Sequence, residues 1–126
     1  MYPPIFSVCA SDPAVVALLG PAPLRLSQFG EAKQGVAKPY AVWQIISGAP
    51  ENYLNQRPDM DLFTVQLDVY GQDPDSARDT AAALRYAIEG VAHVVSYGGE
   101  GRDPDTKNYR YSFTVDWWVK RPIPPP

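Results

Sequence analysis

Two stretches of the chain alternate strictly between apolar and polar residues. In Leu62 to Tyr70, Phe63, Val65, Leu67 and Val69 fall on one side, and Thr64, Gln66 and Asp68 on the other. In Tyr109 to Val119, Tyr109, Tyr111, Phe113, Val115 and Trp117 share one side, and Arg110, Ser112, Thr114, Asp116 and Trp118 the opposite one. A period of two marks a strand with one covered face, and such strands belong to antiparallel sheets. Tyr40 to Ser47 is apolar with little alternation, which predicts a strand buried on both faces. Leu24 to Phe29 predicts a short strand with Leu24 and Leu26 on one side, and Ala92 to Tyr97 predicts another.

Helical spacing shows most clearly after Asp73-Pro74-Asp75, where Ala77, Ala81, Leu84 and Ile88 form a narrow apolar stripe. Asp73 can cap this helix, Pro74 suits its first position, Asp75 and Asp79 complement the positive dipole end, and Gly90 stops it. Near the start, Pro3-Pro4 introduces a short helix over Ile5 to Ala10. Asp12-Pro13 opens a second over Ala14 to Leu19, which Gly20-Pro21 ends, and the two can merge into one kinked segment. Gly30 to Pro39 reads as a loop, and Gly98 to Lys107 as a flexible charged turn. The order α, β, β, β, α, β, β predicts an α+β domain, a mostly antiparallel sheet with helices on one face. Residues 1–121 read as a single domain. Lys120 to Pro126 reads as an extended tail, because its prolines remove ladder donors, and residues 122–126 form the proline-rich end.

Between the second and third strands the chain spends thirteen residues, Gly48 to Met60, on a polar excursion. Hairpin loops usually take two to about five, so this reads as an arm. Tyr53 and Leu54 lie at its centre with Arg57 beside them. Either the arm folds back over its own domain, or these residues meet a partner, since aromatics and arginine are typical interface anchors. Trp117 and Trp118 point to opposite faces of their strand, so only one can enter the core.

Composition narrows the function classes. With 45% apolar and 20% charged residues the chain is an ordinary globule, and its length suffices for a core without disulfides or metals. A net charge of -3 argues against a nucleic-acid grip, which relies on clustered Lys and Arg. Cys9 is the only cysteine, so no intrachain disulfide can form. No signal-peptide pattern and no apolar run long enough to cross a bilayer is present, and a cytoplasmic protein without a membrane role is the expectation.

Candidate chemistry is sparse. His93 is the only histidine and opens a strand, which suits a structural role and rules out a histidine-pair metal site. Ser47, Ser96 and Cys9 lack a nucleophile context, and Cys9 is expected to pack as a small hydrophobe. Asp59, Asp61, Asp68, Asp73, Asp75 and Asp79 could be imagined as a hard-oxygen metal site, but capping, the helix dipole and a polar strand face account for most of them. Gly98-Gly99-Glu100-Gly101 lacks the Lys-Ser/Thr of a phosphate loop. No cofactor and no catalysis are expected.

Several segments together resemble a known family. Lys38-Pro39-Tyr40-Ala41-Val42-Trp43-Gln44, Ser47-Gly48, Glu51-Asn52-Tyr53-Leu54, and Arg57-Pro58-Asp59 leading into Val65-Gln66-Leu67-Asp68-Val69 resemble the tail-completion proteins of long-tailed bacteriophages and prophages. So do Ala82 to Gly90 with Leu84-Arg85 and Ile88-Glu89, Arg102-Asp103-Pro104, Tyr109-Arg110 and Asp116-Trp117. The likeness covers Met1 to Arg121 and leaves out the proline tail. It implies a structural subunit of the virion, assembled in the host cytoplasm, that closes the tail tube as a ring, usually six-fold, and joins the tail to the head. The implied partners are sister subunits, the major tail-tube protein and the head-connector or stopper protein. DNA would pass through the lumen without specific binding. The alternatives are another neck component, such as a stopper or adaptor, or a small phage enzyme. The candidate contact residues are Glu51, Asn52, Tyr53, Leu54, Gln56, Arg57, Arg102 and Trp118.

Overall fold

The computed structural model describes residues 2–20, 23–31, 36–104 and 107–122. Near the N-terminus stand two short helices, α1 (Ile5–Ala10) and α2 (Pro13–Leu19). They do not merge. Asp12 takes an extended conformation between them and caps α2, accepting hydrogen bonds from the amides of Ala14 at 2.9 Å and Val15 at 3.4 Å. Ile5 and Cys9 in α1, and Val15 and Leu19 in α2, each four apart, supply the buried faces. The third helix, α3 (Pro74–Glu89), begins as its sequence dictates: the Asp73 carboxylate accepts from the Ser76 amide at 2.7 Å and Pro74 follows. Ala77, Ala81, Leu84 and Ile88 are buried along it, joined by Thr80.

The strands are β1 (Leu26–Gln28), β2 (Tyr40–Pro50), β3 (Met60–Gly71), β4 (His93–Arg102) and β5 (Tyr109–Lys120). They form one sheet in the order β1-β2-β3-β5-β4. Only the β1–β2 pair is parallel, so the α+β architecture with a mostly antiparallel sheet holds. Alternation decides β3 and β5: Val65, Leu67, Val69, Phe113, Val115 and Trp117 all point into the core beneath the helices.

Three strand expectations need correction. β2 is not buried on both faces. Ala41 is buried and Trp43 and Ile45 pack against the core, but Ile46 is 49% exposed, because the helices cover only one face of the sheet. β4 does not stop at Tyr97. It runs on through the glycines, with Glu100 opposite Tyr111 and Arg102 opposite Tyr109, so most of the expected charged turn is strand. The missing side chain of Gly98 makes this fit, since a Cβ there would stand 3.1 Å from Ser112 Oγ. Gly99 takes the positive φ of +95° at the adjoining bulge. Finally, Lys120 belongs to β5, opposite Met60, and not to a tail. Residues 32–35, 105–106 and 123–126, which the expected loops and proline tail include, lie outside the described residues.

The open face carries short polar links between strands. Thr64 Oγ1 donates to Asp116 at 2.8 Å and Ser96 and Thr114 share a hydroxyl hydrogen bond, while within β3 Gln66 donates to Asp68 at 3.2 Å. Tyr40 and Tyr70 stack across β2 and β3 at 5.0 Å.

Candidate assembly interface

The arm is shorter than the sequence suggests. β2 and β3 extend into it, pairing Gly48 with Phe63, Ala49 with Leu62 and Pro50 with Asp61, and the Glu51 amide donates to the Met60 carbonyl at 3.0 Å. The projecting loop is therefore 51–59, nine residues in place of thirteen. Pro50 is tolerated because the missing donor falls on the outer side of β2, opposite to the ladder.

The base of this loop is fastened. Glu51 Oε1 accepts from the Trp118 indole at 3.1 Å, on the face of β5 opposite the buried Trp117. The His93 ring meets Trp118 edge-on at 5.6 Å, so the one histidine packs in the open against an aromatic. Tyr53 donates its hydroxyl to Asp59 at 2.8 Å, closing the loop on itself, and this bond to a carboxylate raises the phenol above its ordinary range. On the other side Arg121 forks onto Asp61 at 2.9 Å, and its amide donates to the Asp59 carbonyl at 2.8 Å. Sequence reasoning missed this clamp, since the pairing of Asp61 with Arg121 becomes visible only once the β3–β5 register is known.

The tip is not fastened. Leu54 is fully exposed, and Tyr53 is 46% exposed despite its hydrogen bond. Asn52, Gln56 and Arg57 also face solvent. Among the eight candidates, the structure gathers seven at this end of the sheet. Glu51 and Trp118 form the latch, Tyr53 the loop closure, and Asn52, Leu54, Gln56 and Arg57 the free surface. Arg102 stands apart. It pairs with Tyr109, which in turn faces Gly71 at the far end of β3, about 35 Å from the arm at roughly 3.3 Å per residue, and its guanidinium stands 5.1 Å from the Tyr109 ring centre.

Near Arg102 a shallow cleft of about 270 Å³ opens between α3 and the β4–β5 end. Arg78, which lines it, forks onto Glu100 at 2.9 Å, which holds that carboxyl below the usual carboxylate range. No Ser, Thr, Cys or His is among the residues lining the cleft, and among the described residues no three His, Cys, Asp or Glu side chains come together as a metal site. Cys9 is fully buried, and burial pushes its thiol up to about 12, as suits a packing residue. No described helix is long and apolar enough to cross a membrane.

The fold and the protruding arm can now be set beside known proteins. Residues 3–120 match the family model for the tail completion protein gp17. The chain belongs to that family. It is a structural protein of the bacteriophage tail. No curated protein matches the chain. Among the described large apolar side chains of this tail completion protein, the most exposed is Leu54, on the arm.

Proposed function

We propose that this chain is a tail terminator: copies of it close the end of the tail tube as a ring, six-fold in the usual case, and present a surface to the head connector. The reading rests on one observation above all, the fully exposed Leu54 on a loop whose base is fixed at Glu51–Trp118 and Asp61–Arg121. A held loop with a bare apolar tip loses little freedom when a partner covers it, and this is how interface anchors gain affinity. In a ring each subunit uses one patch to meet a different patch on the next, so an arm at one end and other contacts elsewhere suit the geometry.

Asn52, Tyr53, Leu54, Gln56 and Arg57 form the arm's contact set, Glu51 and Trp118 hold it, and Arg102 serves a second contact at the far end. The partners are sister subunits, the major tail-tube protein and the head-connector or stopper protein. Assembly takes place in the host cytoplasm. The net charge of -3 suits a lumen through which DNA slides without being held. Residues 1–121 are the working domain and 122–126 an appendage, so a chain ending at Arg121 is expected to fold and assemble as the full chain does.

The test combines light scattering of the purified chain with its binding to purified tail tubes. A ring-sized species, or a monomer that assembles only at tube ends, is the expected result. A strictly monomeric chain that ignores tube ends overturns the proposal. Replacing Tyr53 and Leu54 together by alanine is expected to leave the melting temperature within a few degrees and weaken assembly at least about tenfold, the loss of one good anchor. Equal losses of folding and assembly would assign the arm to its own domain.

A further inference from the structure

The sheet has two unpaired edges, and they differ. On one flank, among the described residues, β4 pairs on its inner side alone, with β5. On the other flank, β1 covers β2 only at Ala41, Val42 and Trp43. Among the described residues no backbone group pairs with the outer side of Gln44 to Pro50. Open rows of N–H and C=O are templates for another chain, and monomers commonly guard them with lysine or proline. β4 carries neither, and the outer part of β2 is uncharged with a single proline at its last position.

β2 has one bulge and β4 two, and the first bulge of β4 corresponds to that of β2. Ile46 is the extra residue between paired Ile45 and Ser47, and Val95 the extra residue between paired Val94 and Ser96. A bulge can itself guard an edge. Here, however, each of these two turns a β-branched apolar side chain outward: Ile46 is 49% exposed and Val95 50%. These two bulges flank one row of the sheet, Ile45–Val65–Val115–Val94, with Ile46 on its Thr64–Asp116 side and Val95 on its Gln66–Thr114 side. Direction agrees as well. β2 and β4 run opposite ways, so a sheet continued in the same sense into a second copy sets β4 of the first against β2 of the next, antiparallel.

We infer that copies of this chain join edge to edge, the outer half of β2 in one pairing antiparallel with the first half of β4 in the next, Ile46 against Val95. The occupant of each edge is therefore a second copy, met through its other edge. Such contacts use two different patches and generate a ring when the rotation closes. Main-chain pairing supplies the adhesion, and the two β-branched residues set the register. The inference deepens the ring reading above and rests on it.

Cross-linking tests it directly. Residues facing each other across strands lie about 4.5–5.5 Å apart at Cα, within disulfide reach. Cys9 is fully buried and stays out of the reaction. The chain carrying both Ile46→Cys and Val95→Cys is bound to purified tail tubes, oxidised with copper phenanthroline and run on a non-reducing gel. A covalent ladder up to the ring size is expected, with no ladder from either single variant. Electron microscopy of the same tubes shows independently whether rings form. Rings without a ladder overturn the edge pairing and leave the ring reading standing. A dimer from Val95→Cys alone replaces it with a symmetric β4 contact. Absence of any assembly at tube ends overturns both. Should the double cysteine variant fail to fold, Ile46→Lys is expected to abolish assembly and Ile46→Lys with Val95→Glu in one chain to restore it. Failure of that rescue in folded protein also overturns the pairing.

Discussion

A methyl group added at Gly71 would sit 2.7 Å from the backbone nitrogen of Ala77 and 3.2 Å from its side chain. Both neighbours belong to the first turns of α3, and neither can swing away as the end of a long side chain could. Gly71→Ala is therefore expected to push α3 off the end of β3 and cost about 1–3 kcal/mol, read as a lowered midpoint in denaturant. Nothing in the pattern of residues marks this glycine out, because the crowding comes from an element that packs against it in space. Leu54 has the opposite history. Its residue type suggests core, yet it is fully exposed, while the neighbouring Trp117 and Trp118 divide between core and open face as alternation requires. Sequence identified Tyr53 and Leu54 as out of place, but the latch of Glu51 on Trp118 and the clamp of Arg121 on Asp61 needed the register of three strands.

Elements whose period matches their burial were legible in type and in which face they bury, if not to the last residue. β3, β5 and α3 each have one covered face, and each shows it as a period of two or 3.6. β2 misled because its apolar residues on the open face look like core, and β4 because a run of glycines reads as a turn when no partner strand is considered. Three bulges, one in β2 and two in β4, also shift the alternation in those same strands. Start signals were reliable. The Asp73 cap accepts from the Ser76 amide, and Asp73→Ala is expected to cost about 1 kcal/mol of stability in thermal melts, with Asp73→Asn recovering most of it.

At the scale of the molecule, two forked ion pairs hold opposite ends of the sheet. Arg121 joins Asp61 at the arm end, and Arg78 joins Glu100 beside the far cleft. Each arginine, chiefly through its hydrogen bonds, lowers the pKa of the carboxyl it holds in the folded chain. A carboxyl with a depressed folded pKa adds stability above its unfolded pKa, and that stability is lost as pH falls through the folded value. The wild-type chain and the variant carrying Asp61→Asn and Glu100→Gln should therefore differ in melting temperature at pH 7. The difference should shrink below about pH 4 and close at lower pH. Because both pairs are solvent-accessible, added salt should reduce it too.

The Asp61–Arg121 clamp also gives the molecule a readable polarity. It holds residue 121 beside the root of the arm, and Tyr2, with its ring 5.8 Å from that of Phe63, lies toward the same end. Anything fused before Tyr2 or after Arg121 therefore emerges beside the arm and crowds it. The described residues that flank the connection from β4 to β5, Asp103, Lys107 and Asn108, stand at the opposite end of the sheet, where Arg102 pairs with Tyr109. A bulky label inserted there would mark the far end of each subunit while leaving the arm clear, and in images of whole particles it would report which end of the subunit faces the tube and which faces the head.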